Sequence, residues 1–314
     1  MFSIIIPLYN KSPFIQRAID SVLNQSFKDY EVIVVNDGST DGGGELVAKL
    51  YGDKVNLINQ TNQGVSVARN TGISKAKFDY IAFLDADDYW HPQYLEFVAQ
   101  VINENPKVSI IGTHYDSHML AEYPILNYFT LQNYFNQAAR NTRFFTSATV
   151  LYRSFFHHQE GFDPTLSLGE DIDVWLRASL FFGDGIYIQN TLVYYGQDDG
   201  FQATQRPHPI ANSLISKILK PDYYSKAIKN STCIKKEFDN FKYQWVLLSL
   251  YPFFSNPDNK NQIKKILDQI PNKFFPVLIW YKFPFKLLKS HFNKPWAIKI
   301  FRNYMKFCFR LIYT

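Results

Sequence analysis

The stretch Tyr80-Ile-Ala-Phe-Leu-Asp-Ala-Asp-Asp88 decides the fold, because a short apolar run ends abruptly in three carboxylates. A run of this kind is typical of a strand buried on both faces of a parallel sheet. Carboxylates crowded at its end repel one another unless a cation or a hydrogen-bond donor lies among them. Such a strand end is either a ligand site or a solvated acidic turn that caps a helix beginning near Pro92, and the pattern alone does not decide between the two.

Three further strands are expected upstream, and each is followed by a helical pattern. The strands are Ser3–Tyr9, Tyr30–Val35 and Val55–Ile58, and the helices are Ser12–Gln25, Leu46–Leu50 and Val65–Ala76. In the first helix, Ser12 is the expected N-cap and Pro13 lies in the first turn. Strands that alternate with helices predict the α/β class, with a Rossmann-like, mainly parallel sheet flanked by helices.

Polar clusters occupy three of the expected strand ends: Tyr9-Asn10, Asp37-Gly38-Ser39 and Asp85-Ala-Asp87-Asp88. Doubly wound sheets bind ligands at the carboxyl ends of their strands, so we expect these clusters to line one crevice. A hard divalent ion, Mg²⁺ or Mn²⁺, that bridges carboxylate oxygens to a substrate diphosphate would relieve the acidic crowding. A carboxylate at Asp37 could accept from a nucleobase N–H, but Asn, Asp, Gly and Ser also dominate ordinary turns.

A second acidic pair, Glu170-Asp171, stands at the start of another expected helix. Carboxylates in a first turn commonly serve only the helix dipole. A lone carboxylate that faces a sugar donor is nevertheless what deprotonation of an acceptor hydroxyl requires. Trp175, one turn further along, would either stack a sugar ring or belong to the core, and the core is the better interpretation.

Composition and missing motifs exclude several classes of protein. With 46% hydrophobic and 19% charged residues, the 314-residue chain can bury the core of one large domain or of two modest ones. Its 2 cysteines lack metal-like spacing, which argues against a disulfide framework and a zinc site and favours a reducing compartment. The phosphate-loop, G-x-G-x-x-G, nucleophile-elbow and H-E-x-x-H motifs are absent. The apolar start has no signal-peptide features and no apolar run would span a bilayer, so a cytoplasmic location is expected.

The C-terminal region carries an uneven share of the net charge of +5. No Asp or Glu follows Asp268, lysines and arginines recur among aromatic residues, and Ile298–Leu311 is predicted to form an amphipathic helix. This mixture favours peripheral contact with an anionic membrane, ahead of nucleic acid, as the role of the region. The alternative is that these helices pack on protein, either on the catalytic domain or on a second copy in a homo-oligomer.

Taken in order, the polar segments resemble those of the family 2 glycosyltransferases with a GT-A fold, the inverting type of bacterial surface-polysaccharide synthesis. The matching segments are Ser3–Asn10, Val34–Asp41, Asn62–Gly72, Phe83–Asp88, Gly161–Asp163 and Gly169–Asp171. Each segment is weak alone, but their order and spacing are those of the family. The resemblance implies a GT-A nucleotide-sugar-binding and catalytic domain over residues 1–208, followed by a helical region over residues 209–314.

The resemblance also assigns residues to the nucleotide. Pro7 and Tyr9 would pack against the base, with Tyr9 stacked on it. Asp37 would accept a hydrogen bond from the base N–H, and Arg69 would lie near the base or the diphosphate. UDP is the favoured nucleotide, while dTDP and GDP stay open.

The acidic segments receive the remaining roles by the same resemblance. Asp85 and Ala86 would border the ribose or the donor sugar, and Asp87 would bind the Mn²⁺ or Mg²⁺ that holds the diphosphate. Asp171 would be the general base, with Glu170 beside it as a supporting or acceptor-positioning carboxylate. Transfer would go to a hydroxyl of a glycan or of a lipid-linked acceptor.

One departure from the family concerns the side of the leaving group. Many members carry an Arg or His shortly after the strand that follows the acidic pair, where this chain has Val193-Tyr-Tyr-Gly-Gln-Asp-Asp-Gly200. The residues that could replace it are Gln197, Asp198, Asp199, Arg206 and His208.

Two other functions compete with transfer. A nucleotidyltransferase would be expected to show a glycine-rich, basic loop after the first strand, and Pro7-Leu-Tyr-Asn-Lys11 has none. A non-catalytic sugar-nucleotide-binding subunit of a larger glycan synthase is the second alternative. The presence of both Asp87 and Asp171 argues against it.

Overall fold

The computed structural model describes residues 1–119, 124–139, 141–196, 209–229 and 235–311. The chain forms two compact units. The first comprises Met1–Gln132 with Arg143–Pro207, and the second comprises Asn133–Thr142 with His208–Thr314. The short segment Asn133–Thr142 therefore belongs with the C-terminal helices. The predicted division at residue 208 assigns this segment to the first domain instead.

The first unit is built on a sheet whose first four strands are parallel. They are β1 (Phe2–Leu8), β2 (Tyr30–Asp37), β3 (Asn56–Gln60) and β4 (Tyr80–Phe83), in the spatial order β3-β2-β1-β4. All seven residues of β1 are buried, as expected of a central parallel strand covered on both faces. The predicted α/β sheet is confirmed, and its parallel arrangement holds through this half.

Beyond β4 the pairing is mixed. The remaining strands are β5 (Tyr89–Trp90), β6 (Ile110–Asp116), β7 (Tyr128–Leu131), β8 (Thr149–Tyr152) and β9 (Gly185–Tyr194). The sheet continues in the order β4-β8-β6-β9-β5, with β7 also paired to β9. β6 and β9 run parallel, whereas the β4–β8, β6–β8, β5–β9 and β7–β9 pairs are antiparallel. The β5–β9 pair brings the residues that follow the acidic cluster next to the end of β9.

Helices connect the strands of the first unit. They are α1 (Ser12–Leu23), α2 (Gly43–Tyr51), α3 (Val65–Lys75), α4 (Tyr94–Glu104), α6 (Phe155–His158) and α7 (Glu170–Phe182), while α5 (Tyr134–Ala138) lies in the second unit. The prediction that Ser12 is the N-cap of α1 is wrong, since Lys11 holds that position and makes no side-chain cap. The N–H of Ser12, which has no acceptor within the helix, donates instead to Asp41 Oδ2 at 2.8 Å.

The core of the first unit contains the side chain whose role was ambiguous in the sequence. Trp175 is 1% exposed. Its ring centroid lies 6.0 Å from that of Phe83 and 6.1 Å from that of Phe162. The core interpretation of Trp175 is confirmed, and this ring is not available to stack on a sugar.

The second unit is helical, as predicted. Besides α5 it contains α8 (Ser225–Lys229), α9 (Lys235–Ser249), α10 (Lys260–Leu267), α11 (Phe275–Tyr281), α12 (Phe285–Phe292) and α13 (Pro295–Leu311). Its interior is aromatic: the ring centroid of Phe301 lies 4.9 Å from that of Phe292 and 5.4 Å from that of Tyr281. The core-facing side of α13 is therefore fixed by packing within its own unit.

The described ranges contain no helix that is both long enough and apolar enough to cross a bilayer. Cys308, on α13, is buried and forms no disulfide, whereas Cys233 lies outside the described residues.

Candidate active site

Hydrogen bonds join the loops that follow β1 and β2. Asn10, in the left-handed region at φ 51°, donates its N–H to Ser39 Oγ at 3.1 Å. Its Oδ1 accepts from the N–H of Thr40 at 2.8 Å. Tyr9, next to this tie, is 48% exposed, whereas Pro7 is buried within β1. A ligand at this edge of the sheet would therefore meet the phenol ring of Tyr9 before it could meet Pro7.

Asp37 organises the loop that leads into α3. Its Oδ1 accepts from Gln60 Nε2 at 2.8 Å and from the N–H of Gln63 at 2.9 Å, and its Oδ2 accepts from the N–H of Gly64 at 2.8 Å. A carboxylate oxygen can accept two hydrogen bonds, so Oδ2 keeps one acceptor position, although the surrounding loop almost completely covers the residue. Because Asp37 is only 2% exposed, this loop-building role exists whether or not a base binds.

Asp85 and Asp87 are each neutralised by a cation from another element. Asp85 Oδ1 lies 2.8 Å from Arg69 Nη2, and Asp87 Oδ2 lies 2.8 Å from Lys11 Nζ. Burial, and then the charge of Asp85, raise the pKa of Asp87, while Lys11 opposes the rise. Ala86, between them, is 3% exposed and can offer a ligand only backbone atoms. The loop after β1 and the strand end of β4 therefore meet, as the strand order predicts.

Asp88 anchors the acidic turn to the mixed half of the sheet. Its Oδ2 accepts from Ser147 Oγ at 2.5 Å, and its Oδ1 accepts from the N–H of Gly196 at 2.8 Å. Burial, followed by the charge of Asp85, raises the pKa of Asp88 well above its usual range. Since both oxygens are engaged and the residue is 1% exposed, Asp85 and Asp87 are the members of the cluster that a ligand can reach.

Arg69 connects the two acidic pairs. It is 4% exposed, and its Nη1 lies 3.2 Å from Glu170 Oε1 while its Nη2 holds Asp85. Burial alone would lower the pKa of Arg69, but the charges of Asp85 and Glu170 outweigh it and raise the pKa. Its guanidinium lies 5.0 Å from the ring centroid of Phe162. The contact of Arg69 with the base or diphosphate, implied by the resemblance, stays a prediction.

Asp171 lies in the first turn of α7, beside Glu170. Its Oδ1 accepts from the N–H of Ile172 at 2.7 Å, and its Oδ2 accepts from Thr146 Oγ1 at 3.2 Å. Burial and the charge of Glu170 raise the pKa of Asp171 to about 6, although Arg69 opposes the rise. A carboxylate with such a pKa is ionised at neutral pH and still has appreciable affinity for a proton, which suits a general base.

The Gly161-Phe-Asp segment holds α3 and α7 together. Phe162 exchanges two hydrogen bonds of 2.8 Å with the side-chain amide of Asn70, from its own N–H and C=O. Arg177 Nη2 donates to Gly161 O at 2.7 Å and to Asp173 Oδ2 at 2.8 Å. A Cβ at Gly161 would lie 2.1 Å from Asn70 Oδ1, so the close approach requires glycine. This segment therefore holds the ring of Phe162 against the guanidinium of Arg69. Asp173 supports the segment by pairing with Arg177.

Comparison with protein families agrees with this arrangement. The family described as "Glycosyl transferase family 2" matches residues 3–159, which is half of the chain and contains every strand end described above up to Asp88. The chain belongs to glycosyltransferase family 2. The matched region ends before α7, so the placement of Asp171 in this family 2 site rests on the geometry rather than on the match.

Three curated relatives show the breadth of this similarity. An uncharacterized glycosyltransferase of Rickettsia bellii is 31% identical over 70% of this chain and 33% of its own length. Glycosyltransferase GlyA of Streptococcus pneumoniae is 29% identical over 62% of the chain and 30% of its own length. Chondroitin synthase of Pasteurella multocida is 33% identical over 57% of the chain and 19% of its own length. The matched part of the chain thus spans a third or less of each relative.

Solved structures confirm the GT-A fold. Residues 1–349 of Staphylococcus aureus TarS in complex with UDP-GlcNAc superpose with a TM-score of 0.67 at 18% identity, covering 98% of this chain and 91% of that one. The mannosyltransferase PcManGT from Pyrobaculum calidifontis, in complex with GDP-Man and Mn²⁺, superposes with a TM-score of 0.56 at 16% identity, covering 99% and 87%. At these identities the similarity establishes the fold alone.

The acidic cluster of this family 2 chain fits the divalent cation that the resemblance implies. Hard cations prefer carboxylate oxygens, and the side chains of Asp85 and Asp87 are 27% and 23% exposed. Burial, and then the charge of Asp85, act against the charged form of Asp87, and a cation beside both carboxylates would relieve their mutual repulsion. In the described residues no three His, Cys, Asp or Glu side chains converge as a ready metal site. Asp87 would hold the ion together with oxygens from outside the protein, and Lys11 would have to give way.

Three polar residues of the site were missed in the sequence. Lys11 pairs with Asp87, Ser147 Oγ accepts from the N–H of Asp85 at 3.0 Å, and Thr146 donates to Asp171. Thr146 and Ser147 form a short 3₁₀ turn before β8. Neither belongs to a motif, and β8 reaches the site only because it pairs with β4 out of chain order. Of the three, Lys11 could have been predicted from the sequence, because it directly follows the polar pair Tyr9-Asn10 at the end of the first strand.

Aromatic rings border the acidic cluster on the side of β6 and β9. The ring centroid of Tyr115 lies 4.4 Å from that of Phe145, which lies 5.2 Å from that of Tyr195. Burial, and then Asp171 for Tyr115 and Asp88 for Tyr195, raise the pKa of both phenols. These rings, not Trp175, are the aromatic surface that the structure offers beside the carboxylates.

The candidates for the leaving-group side, Gln197, Asp198, Asp199, Arg206 and His208, lie outside the described residues. The described chain reaches Gly196, whose N–H donates to Asp88.

Proposed function

We propose that this chain is an inverting, metal-dependent glycosyltransferase. It transfers a hexosyl or N-acetylhexosaminyl group from a nucleoside diphosphate donor to a hydroxyl of a glycan or lipid-linked acceptor. The observation that carries the proposal is the connection of Asp171, whose pKa is raised to about 6, through Glu170 and Arg69 to Asp85 at the strand end of β4. Direct displacement requires a base and a donor site that are held close together. The two ion pairs of Arg69 hold the acidic segment of α7 beside the acidic segment after β4.

The reaction needs one proton acceptor and no covalent nucleophile. Asp171 accepts the proton of the acceptor hydroxyl while that oxygen bonds to the anomeric carbon. The bond from that carbon to the diphosphate oxygen breaks on the opposite face, so the centre inverts. When bound at Asp87, Mn²⁺ or Mg²⁺ supplies positive charge to the departing diphosphate. Arg69 keeps Asp85 and Glu170 in place, and Glu170 keeps the pKa of Asp171 raised.

UDP is the favoured nucleotide of the proposal. Tyr9 offers an exposed ring for stacking, and Asp37 Oδ2 can accept one more N–H. The TarS structures that share this fold contain UDP-GlcNAc and UDP, which supports the same choice. PcManGT, which shares the fold, is in complex with GDP-Man. GDP is therefore included among the nucleotides titrated below.

A role in polysaccharide synthesis follows from the relatives. A chondroitin synthase and a hyaluronan synthase of Pasteurella multocida are among them, each 33% identical over 57% of this chain. Their names support a glycan acceptor, while the basic C-terminal region supports a lipid-linked one.

Peripheral membrane contact of the second unit is part of the proposal, and its support is an exposed apolar stripe on α13. Trp296, Ile300, Phe307 and Leu311 repeat at intervals of 4, 7 and 4 residues and are 58–62% exposed. They share one face of the helix, which is not the face that packs in the core. Exposed lysine and arginine residues run beside them, among them Lys299, Arg302 and Arg310. An apolar stripe flanked by cations suits the surface of an anionic bilayer.

Calorimetric titration tests the donor site. UDP, dTDP and GDP are titrated, each with and without Mn²⁺, into the wild type and into Asp87→Ala. We expect one nucleotide to bind tightly only with Mn²⁺ and to lose this dependence in the variant. A folded wild type that binds none of them would refute the proposal. Binding without turnover of the matching nucleotide sugars would favour the non-catalytic subunit instead.

A further inference from the structure

A groove of about 470 Å³ opens in the second unit, and none of the residues given a catalytic role above lines it. It is lined by α10, α11 and α12, by the turns that connect them, and by Phe254 from the short 3₁₀ helix Tyr251–Ser255. The α10 residues that line it, Lys260, Ile263, Lys264 and Leu267, are spaced at i, i+3, i+4 and i+7, so one whole face of the helix borders the groove. Its volume lies within the range of roughly 300–1,000 Å³ that small-molecule sites occupy.

The floor of the groove is apolar. Six of its lining side chains are almost completely buried: Phe254, Ile263, Ile270, Leu278, Tyr281 and Leu288, each 2–7% exposed. The hydroxyl of Tyr281 donates to Leu247 O at 2.5 Å, so the ring presents carbon to the groove. A hydrocarbon chain would lose its contact with water here without leaving a buried polar group unpaired.

The rim of the groove is cationic. Lys260, Lys264 and Lys282 line it and are exposed, against the single carboxylate of Asp268. The described carboxylates form no ion pair with these three lysines. Lys282 lies 4.9 Å from the ring centroid of Phe275, which places its ammonium beside an apolar surface. An anionic head group would find three donors at this rim.

We propose that this groove binds one phosphate-headed lipid, with the start of its hydrocarbon chain on the apolar floor and its phosphate among the lysines. A free phosphate would use the rim alone, whereas a lipid uses both rim and floor. Phe283, a lining residue 52% exposed, and Leu287, 62% exposed, extend the apolar surface beyond the groove. A chain longer than the groove could continue along them. The site goes beyond the proposed transferase function and uses none of its residues.

Calorimetry on the full chain tests the site with decyl phosphate below its micellar concentration. Inorganic phosphate and decyl maltoside serve as the head-only and chain-only probes. We expect saturable 1:1 binding of decyl phosphate, much weaker binding of either partial probe, and a loss of about tenfold or more in Lys264→Gln/Lys282→Gln. The control variant Lys226→Gln/Lys229→Gln removes the same charge from exposed lysines of α8 that do not line the groove, and should bind like the wild type.

Each other outcome overturns the lipid site. Inorganic phosphate that binds as tightly as decyl phosphate would make the rim a site for soluble anions. An equal loss of decyl phosphate affinity in the control variant would mean that the net charge of the protein, and not the groove, attracts the probe. Non-saturable uptake of decyl phosphate would mean adsorption to the surface without a defined site. Nucleotide binding is measured on the same variants and should be unchanged, so a failure here is distinguishable from a failure of the transferase function.

Discussion

Five carboxylates, the guanidinium of Arg69 and the ammonium of Lys11 set the charge balance of the site, and in the proposed mechanism Asp171 is the member whose proton decides activity. Its raised pKa originates in burial and in Glu170, with Arg69 in opposition. Because the base must be ionised to accept a proton, transfer should rise with pH and reach half its plateau near pH 6. Initial rates between pH 4.5 and 8.5, corrected for stability, measure this.

The corresponding variant is Asp171→Asn. It should lower the transfer rate by a factor of about 10²–10⁴, the usual contribution of general acid–base catalysis, and abolish the inflexion near pH 6. Nucleotide affinity should stay near that of the wild type, because Asp171 contacts Thr146 and the start of α7 rather than the strand ends. Retained transfer in this variant would remove Asp171 as the base.

Lys11 gives a second prediction at the residue scale. Its ammonium forms an ion pair with Asp87, the carboxylate expected to bind the divalent ion. Lys11 and the divalent ion should therefore compete for Asp87. Lys11→Gln should tighten Mn²⁺ binding by the nucleotide-free protein about three- to tenfold, in line with a partly exposed ion pair of roughly 1 kcal/mol. Electron paramagnetic resonance of free Mn²⁺ measures this, with Lys49→Gln on the exposed side of α2 as control. Unchanged or weaker binding would mean that Lys11 does not compete for Asp87.

At the scale of elements, α1 is capped from outside its own sequence. The Asp41 carboxylate accepts from the N–H groups of both Ser12 and Gly43, at 2.8 and 3.0 Å. Asp41→Ala should therefore lower the free energy of unfolding by about 0.5–2 kcal/mol, the usual value of a lost cap. Ser12→Ala should change it by less, since the Ser12 hydroxyl makes no cap. Urea unfolding of both variants checks this, and the reverse order would restore Ser12 as the cap.

The parallel half of the sheet could be predicted because β1, β2 and β4 are each one local pattern, a largely buried run followed by polar residues, whereas β3 is only partly buried. The strand pairing of the mixed half could not, since β8 and β9 acquire their neighbours from pairing across the sheet rather than from the pattern of their own residues. The same reason separates the site residues that were predicted from those that were missed. Asp85, Asp87, Glu170 and Asp171 stand in recognisable segments, whereas Ser147 matters only because β8 lies beside β4.

At the scale of the whole molecule, the second unit carries several large hydrophobic side chains that are exposed instead of packed in its core. Of the large hydrophobic side chains that the structure describes as exposed, eight lie between Phe275 and Leu311. Contiguous exposed apolar surface of this kind usually marks an interaction site. Ile300→Gln/Phe307→Gln should reduce recovery with anionic vesicles in a flotation assay without loss of fold, because both side chains point away from the core.

The control for flotation is Leu50→Gln, which replaces an exposed apolar side chain on α2 of the first unit and should float like the wild type. Neutral phosphatidylcholine vesicles should recover less protein than anionic ones, because the cations beside the stripe would have no partner. Recovery unaffected by the double substitution would assign this face to another role. A change in the sedimentation coefficient of that variant would then identify the partner as a second copy of the chain.

The three hydrogen bonds that Asp37 receives have a thermodynamic consequence for whatever docks beside it. They order the backbone between Gln60 and Gly64 in the free protein, so the conformational entropy of that loop is lost during folding and not during association. A ligand that stacks against Tyr9 would meet a surface already in its final shape, and more of its contact energy would appear as affinity. Loosening this loop should therefore weaken binding even where no atom that touches the ligand has changed.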